Sequence, residues 1–295
     1  MRSSEFDLEA PRAIRRPSPN ICIYCLSATS DLTDEHVIPF ALAANTLILE
    51  KSCCKKCQHI IQPYEQDVLK KQLGNFRAQV CAPTRNPKSR PTEIRFGFSE
   101  VDATGQIVRD LGSRMLPNAE APITLNLWSS PPPRYGLPSD QIGKDVGQPW
   151  SYIDKPAAML QCKVVASETG AVHVAMKLGE VNRENYLRFL AKTAHAYAAA
   201  QLGPDGFEPF LPDVILKRSD KMSVYVGDYA MVSPFEPNPA HTLQISLGEQ
   251  EEGPAMGCLL VRIQLYPFLD SPSHIIIVGR VTPMTRDRLS DAIDC

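Results

Sequence analysis

Four of the five cysteines near the start of this 295-residue sequence have the spacing of metal ligands. They form two Cys-x-x-Cys pairs, Cys22 with Cys25 and Cys54 with Cys57. Two intervening residues let a tight turn direct both thiolates of a pair at one tetrahedral ion, and the second pair completes four ligands. The spacing therefore predicts a structural Zn²⁺ site. Cys53 lies one residue too far from Cys57 for this spacing, so we predict that it is not a ligand of the ion.

Between the two pairs lies an acid-acid-His triplet, Asp34-Glu35-His36, followed by Val37-Ile38-Pro39. The β-branched residues and the proline predict a strand that ends just after its polar residues. A neutral imidazole near pH 7 can take a proton from an attacking water molecule, which makes His36 a candidate general base. The Glu35 carboxylate can hold a divalent cation such as Mg²⁺. We therefore predict a hydrolytic site beside the zinc.

These residues resemble the HNH (ββα-metal) endonuclease family, in the subgroup with two CxxC zinc knuckles and a DEHxIP strand. The resemblance covers residues from about Ile21 to Val80. It implies metal-dependent hydrolysis of phosphodiester bonds in DNA, with a structural Zn²⁺ and a catalytic Mg²⁺ or other divalent cation. By analogy alone, it suggests a role in restriction or phage defence.

The resemblance also assigns roles to single residues. Glu35 takes a metal-ligand position, and Asp34 takes a supporting one, with packing or capping as the alternative for Asp34. Asn45 follows Ala43 and Ala44 where related sequences have Gly-Gly-Asn, so its carboxamide would fix the loop or orient the base. The two alanines depart from the glycine pattern.

The second metal-ligand position follows the second CxxC, where related sequences have His or Asn. This sequence has Gln58 there, then His59, and Glu65 lies one to two turns further along the expected helix. Any of the three could coordinate Mg²⁺, so all remain candidates. Lys55 and Lys56, between the zinc cysteines, would either contact phosphates or form a solvated pair.

Composition sets the broad class of the protein. With 43% hydrophobic residues, the chain can bury a large core and is long enough for two domains. We find no apolar run of membrane-spanning length and no apolar segment resembling a signal peptide, so we expect a cytoplasmic protein without membrane contact. The crowding of five cysteines into one stretch favours a metal site over a disulfide framework.

Charge is distributed unevenly along the chain. Residues 1–90 carry 13 Lys and Arg against 9 Asp and Glu, whereas residues 91–295 carry 18 against 24. A mildly basic first part is compatible with DNA as a partner, although ordinary solvated lysines explain it equally well. The acidic second part is a poor candidate for extended DNA contact.

We divide the chain into three parts: a flexible arm (1–20), an HNH-like zinc domain (21–90) and an α+β domain (91–295). The first part is polar and proline-rich, without regular periodicity. Tyr64 to Val80 has the apolar spacing of a helix. Ala82 to Glu93, with three prolines and three basic residues, is predicted to be a linker, either solvated or lying along DNA.

The third part is predicted to be a mostly antiparallel sheet packed on one long helix, Asn182 to Leu202, and to fold by itself. Leu160–Ser167 and Ala171–Leu178 are predicted to form a hairpin around Gly170. Further strands are expected at 93–98, 123–128, 222–226, 242–246, 257–265 and 274–281. This part would supply targeting, dimerisation or regulation. If it supplies dimerisation, the protein is a homodimer.

The alternative function for the chain is a catalytically silent zinc-knuckle module that binds nucleic acid or protein.

Overall fold

The structure is a computed structural model, and it describes residues 2–8, 12–84, 86, 88, 90–229 and 241–290. The strands are β1 (Arg2–Asp7), β2 (Ala13–Arg16), β3 (Leu32–His36), β4 (Thr46–Cys54), β5 (Glu93–Val101), β6 (Ile107–Pro117), β7 (Thr124–Ser129), β8 (Gln148–Ile153), β9 (Val174–Lys177), β10 (Glu208–Pro209), β11 (Val226–Asp228), β12 (His241–Glu249), β13 (Cys258–Leu265) and β14 (Ser273–Arg280). The α-helices are α1 (Lys55–Gln66), α2 (Gly74–Gln79), α3 (Lys155–Thr169), α4 (Arg183–Leu202), α5 (Pro212–Ile215), α6 (Met222–Tyr225) and α7 (Pro283–Ser290).

The cysteine-rich stretch forms a strand pair followed by a helix. Strands β3 and β4 are antiparallel, with Glu35 opposite Leu49 and His36 opposite Ile48. Helix α1 begins directly after Cys54, the last residue of β4. A wider helical turn over Asp67–Gln72 links α1 to α2, so the helix predicted over 64–80 is three shorter pieces. The order β3-β4-α1 brings the predicted polar triplet alongside the first turns of α1.

Helix α4 is the centre of the larger part of the chain. Its side chains from Tyr186 to Ala199 are all buried, because a six-stranded antiparallel sheet covers one side and α1 covers another. Asn182 caps its start by accepting a hydrogen bond from the Asn185 N–H, and Gly203 ends it with a φ of +77° that favours glycine. The predicted long helix is therefore confirmed.

The sheets are mostly antiparallel, which confirms the predicted mixed α+β class. Strands β1, β12, β13, β14 and β10 lie side by side, and β11 also pairs with β14. Strands β6, β5 and β9 form a second sheet, and β7 pairs with β8. In the described residues, the one parallel pair joins β2 to β4. The part of the chain described contains no helix that could cross a bilayer.

Besides the divided helix over 64–80, four features differ from the predicted organisation. Met222–Tyr225 is helix α6, where a strand was expected over 222–226. Residues 2–7 and 13–16 of the predicted arm are strands, since β1 pairs with β12 and β2 pairs with β4. The segment 155–169 is helix α3, not the first strand of a hairpin, because Asp154 caps its start and Gly170 ends it in the left-handed region. Val37, Tyr64 and Tyr197 belong to one continuous core that crosses the predicted boundary at residue 90.

Candidate metal centre and polar cleft

The four cysteines predicted as zinc ligands come together in the fold. The sulfur atoms of Cys22, Cys25, Cys54 and Cys57 all lie within 4.8 Å of one another, and the Cys25 and Cys54 sulfurs are 3.7 Å apart. A Zn–S distance of about 2.3 Å in a tetrahedron places sulfurs about 3.8 Å apart, so this group fits Zn²⁺. Cys53 is buried but is not part of the group.

The loop that carries the first two cysteines is held from two sides. The N–H of Ile23 donates to the carbonyl of Ser52 on β4 at 2.9 Å. The carbonyl of Ile23 accepts a hydrogen bond from Nε2 of His195 on α4 at 2.8 Å. Burial lowers the pKa of His195, so its ring is neutral and can donate from one nitrogen. The metal centre is therefore attached to the central helix as well as to its own hairpin.

A buried lysine from α4 reaches into the predicted active site. Nζ of Lys192 lies 2.5 Å from Oε1 of Glu35 and 2.9 Å from Oε1 of Glu65. The same ammonium donates to the backbone carbonyl of His36 at 2.8 Å. Its three N–H groups thus have three acceptors. The side chains of Lys192 and Glu35 are 1% and 7% exposed, so this ion pair is shielded from water.

The neighbouring carboxylates keep the Lys192 side chain charged. Burial acts to lower the pKa of Lys192, but the carboxylates of Glu35 and Glu65 outweigh it and raise that pKa. Burial raises the pKa of Glu35, and the Lys192 ammonium opposes that shift. The Lys192 ammonium is therefore the neighbouring group that favours the ionised form of Glu35.

The other predicted members of the site have partners within the protein. Oδ2 of Asp34 pairs with Arg15 at 3.0 Å, and its Oδ1 accepts the Lys51 N–H at 3.1 Å. Hydrogen bonding, first from the Lys51 N–H and then from Arg15, keeps the pKa of Asp34 below its usual range. Asn45 accepts the N–H of Asp7 at 2.7 Å, so its carboxamide holds β1.

His36 lies at the end of β3 in the wall of a cleft of about 650 Å³. Glu65 and Gln58, two of the three candidates for the second metal position, also line this cleft. His59 is exposed on the same helix, outside the cleft lining. The structure therefore brings His36, Glu35, Gln58 and Glu65 into one cleft and leaves His59 out of it.

The two lysines beside the zinc cysteines are exposed at the start of α1. Nζ of Lys55 lies 3.9 Å from Asp31, at the outer limit of an ion pair, and its side chain is 70% exposed. Such a pair contributes little to stability, so Lys55 and Lys56 can contact a phosphate without losing a buried partner.

Lys192 is the site residue that sequence reasoning misses. It lies in the stretch Ala191-Lys192-Thr193-Ala194-His195-Ala196, in which three of the five other residues are alanine. A lysine in such a context is rarely buried unless it is paired, and this was the available signal. Its acceptors lie on β3 and α1, which are distant in sequence, so the sequence alone does not identify them.

Asn45→Ala should lower the free energy of unfolding by about 1 kcal/mol, because the Asp7 N–H loses its acceptor. Urea unfolding monitored by circular dichroism measures this, with an unchanged slope as evidence of an intact fold. A loss below a few tenths of a kcal/mol would show that β1 is held without the Asn45 carboxamide.

Comparison of the chain with protein-family models, with curated proteins and with solved structures finds no match.

Proposed function

We propose that this chain is a zinc-stabilised nuclease that hydrolyses phosphodiester bonds in DNA. The observation that carries the proposal is the position of His36, in a cleft and at the end of β3, the strand that pairs with the cysteine-bearing strand β4. His36 is half-buried and lines the cleft, so part of its side chain is open to solvent. The exposed Lys55 and Lys56 support the choice of a phosphate-containing substrate.

The proposed step uses His36 as the general base. Its imidazole takes a proton from water while the water oxygen attacks phosphorus. The bond from phosphorus to the leaving sugar oxygen breaks, and that oxygen takes a proton from solvent. The hydrogen bond from Lys192 to the His36 carbonyl fixes the backbone from which the base projects.

A catalytic Mg²⁺ at Glu35, which the resemblance implies, does not fit the observed arrangement. Oε1 of Glu35 is 2.5 Å from the Lys192 ammonium, and Oε1 of Glu65 contacts the same ammonium. We therefore include no metal in the proposed step.

A second function is favoured by a specific observation: Asp34, Glu35 and Asn45 all contact other parts of the protein. Such engagement would suit a catalytically silent module that binds nucleic acid through the same face. In that case DNA would bind, and the bound DNA would stay intact.

His36→Ala should lower cleavage of labelled DNA by about 10²–10⁴-fold, because the general base is lost. Cleavage is measured on single- and double-stranded DNA and RNA, with and without added Mg²⁺. His173→Ala is the matched control, since His173 is exposed on the loop before β9 and is not part of the cleft lining.

Zinc content and the binding of DNA, measured by fluorescence anisotropy, should be equal in both variants. Unchanged cleavage in His36→Ala would remove His36 from the mechanism. Binding without cleavage by the wild type, on every nucleic acid tried, would favour the silent module.

A further inference from the structure

We infer that the Lys192 ammonium is a built-in cation, which takes the place of the divalent metal ion between Glu35 and Glu65. This inference concerns the cleft of the proposed nuclease, but it rests on the geometry of three side chains and not on hydrolysis. It predicts that the wild-type chain takes up no divalent ion at Glu35, and that removal of the Lys192 charge creates such a site.

The first argument is the donor set. Two carboxylate oxygens and one backbone carbonyl oxygen converge on Nζ at 2.5, 2.9 and 2.8 Å. Carboxylate and carbonyl oxygens are also the ligands that hard divalent cations prefer. The protein has therefore built an oxygen site for a cation, and it fills that site with its own side chain.

The second argument is that the ammonium cannot easily leave. Lys192 lies in the middle of α4, where every side chain from Tyr186 to Ala199 is buried. The Lys192 side chain has no direct path to water, since it is 1% exposed. A divalent ion would have to displace a buried charged group from its three acceptors, which is costly.

The third argument is charge balance. Glu35 is almost fully buried, whereas the Glu65 side chain is 22% exposed on the cleft side and reaches water. One ammonium therefore neutralises the buried carboxylate, and solvent stabilises part of the charge of the other. Without the ammonium, two carboxylates would face each other with no cation, and a divalent ion would restore neutrality.

The test compares the zinc-loaded wild type with Lys192→Met, which keeps an unbranched side chain one atom shorter and removes the charge. Mn²⁺ is the probe, because its electron paramagnetic resonance signal reports the bound ion and because thiolate sites prefer zinc to it. We expect Mn²⁺ to bind Lys192→Met at one site and to raise its melting temperature. In the wild type, we expect no Mn²⁺ binding and no change in melting temperature.

Two further variants complete the design. Lys163→Met removes an exposed lysine from α3 and should behave as the wild type does. Adding Glu35→Gln to Lys192→Met should abolish both Mn²⁺ binding and the gain in melting temperature, since one carboxylate ligand is lost.

Failure of a folded Lys192→Met to take up Mn²⁺ would overturn the inference. If Lys192→Met is insoluble, the test becomes Mn²⁺ uptake by the wild type and by Glu35→Gln. Mn²⁺ uptake that Glu35→Gln abolishes would show a native divalent site and overturn the inference, and absence of uptake would support it. DNA cleavage is scored separately in the wild type, so failure of the proposed nuclease and failure of this inference are distinguishable.

Discussion

Cys54→Ala should release the zinc and unfold the region around β3, β4 and α1. Structural zinc sites of this kind contribute on the order of 10 kcal/mol or more of apparent binding free energy, which is comparable to the whole stability of a domain. Because the Ile23 loop is also bonded to His195 on α4, the damage should spread to the central helix.

Cys53→Ala is the matched control, since Cys53 is the neighbouring residue and is equally buried. It should retain one zinc per chain and lose only about 1 kcal/mol, the effect of removing one small buried group. Zinc is measured by inductively coupled plasma mass spectrometry, and stability by thermal unfolding. Equal zinc loss in the two variants would show that the ligand set is wrong.

Residues 91–295 expressed alone should not fold, although their sequence predicts an independent domain. The fragment would lack Glu35, Glu65 and the His36 carbonyl, so the Lys192 ammonium would be buried without a partner. That loss costs about 3–5 kcal/mol, and the apolar contacts with Val37 and Tyr64 would be lost as well. We expect little chemical-shift dispersion and no cooperative melting transition.

Co-expression of residues 1–90 with this fragment is the control, and it should restore a soluble complex that contains zinc. The intact chain should melt in one transition that the two halves share. A cooperative transition of the fragment alone, at the temperature of the intact chain, would show that its core is complete without the zinc region.

Local signals predicted much of the fold correctly. Helix α4 has Asn182 before it and Gly203 after it, and its predicted and observed bounds differ by a single residue. The four cysteines predicted as zinc ligands also follow from spacing within short segments, and they lie together in the structure.

The incorrect predictions concern segments whose local signals conflict, or whose partners in the fold are distant in sequence. Val164 and Val165 favour a strand, but the cap at Asp154 and the left-handed Gly170 make α3 a helix. Strand β1 looks like a polar arm because its partner, β12, lies near the other end of the sequence. Lys192 was missed for the same reason, since its acceptors are on β3 and α1.

The pairing of β1 with β12 has a consequence for synthesis on the ribosome. Arg2 lies opposite Leu247, so this strand is made early and its neighbour is made late. Until residues 241–249 emerge, β1 has no sheet to join, and a chain truncated before them leaves it exposed. A chaperone that shields the nascent amino-terminal segment should therefore raise the yield of this protein more than one acting after release.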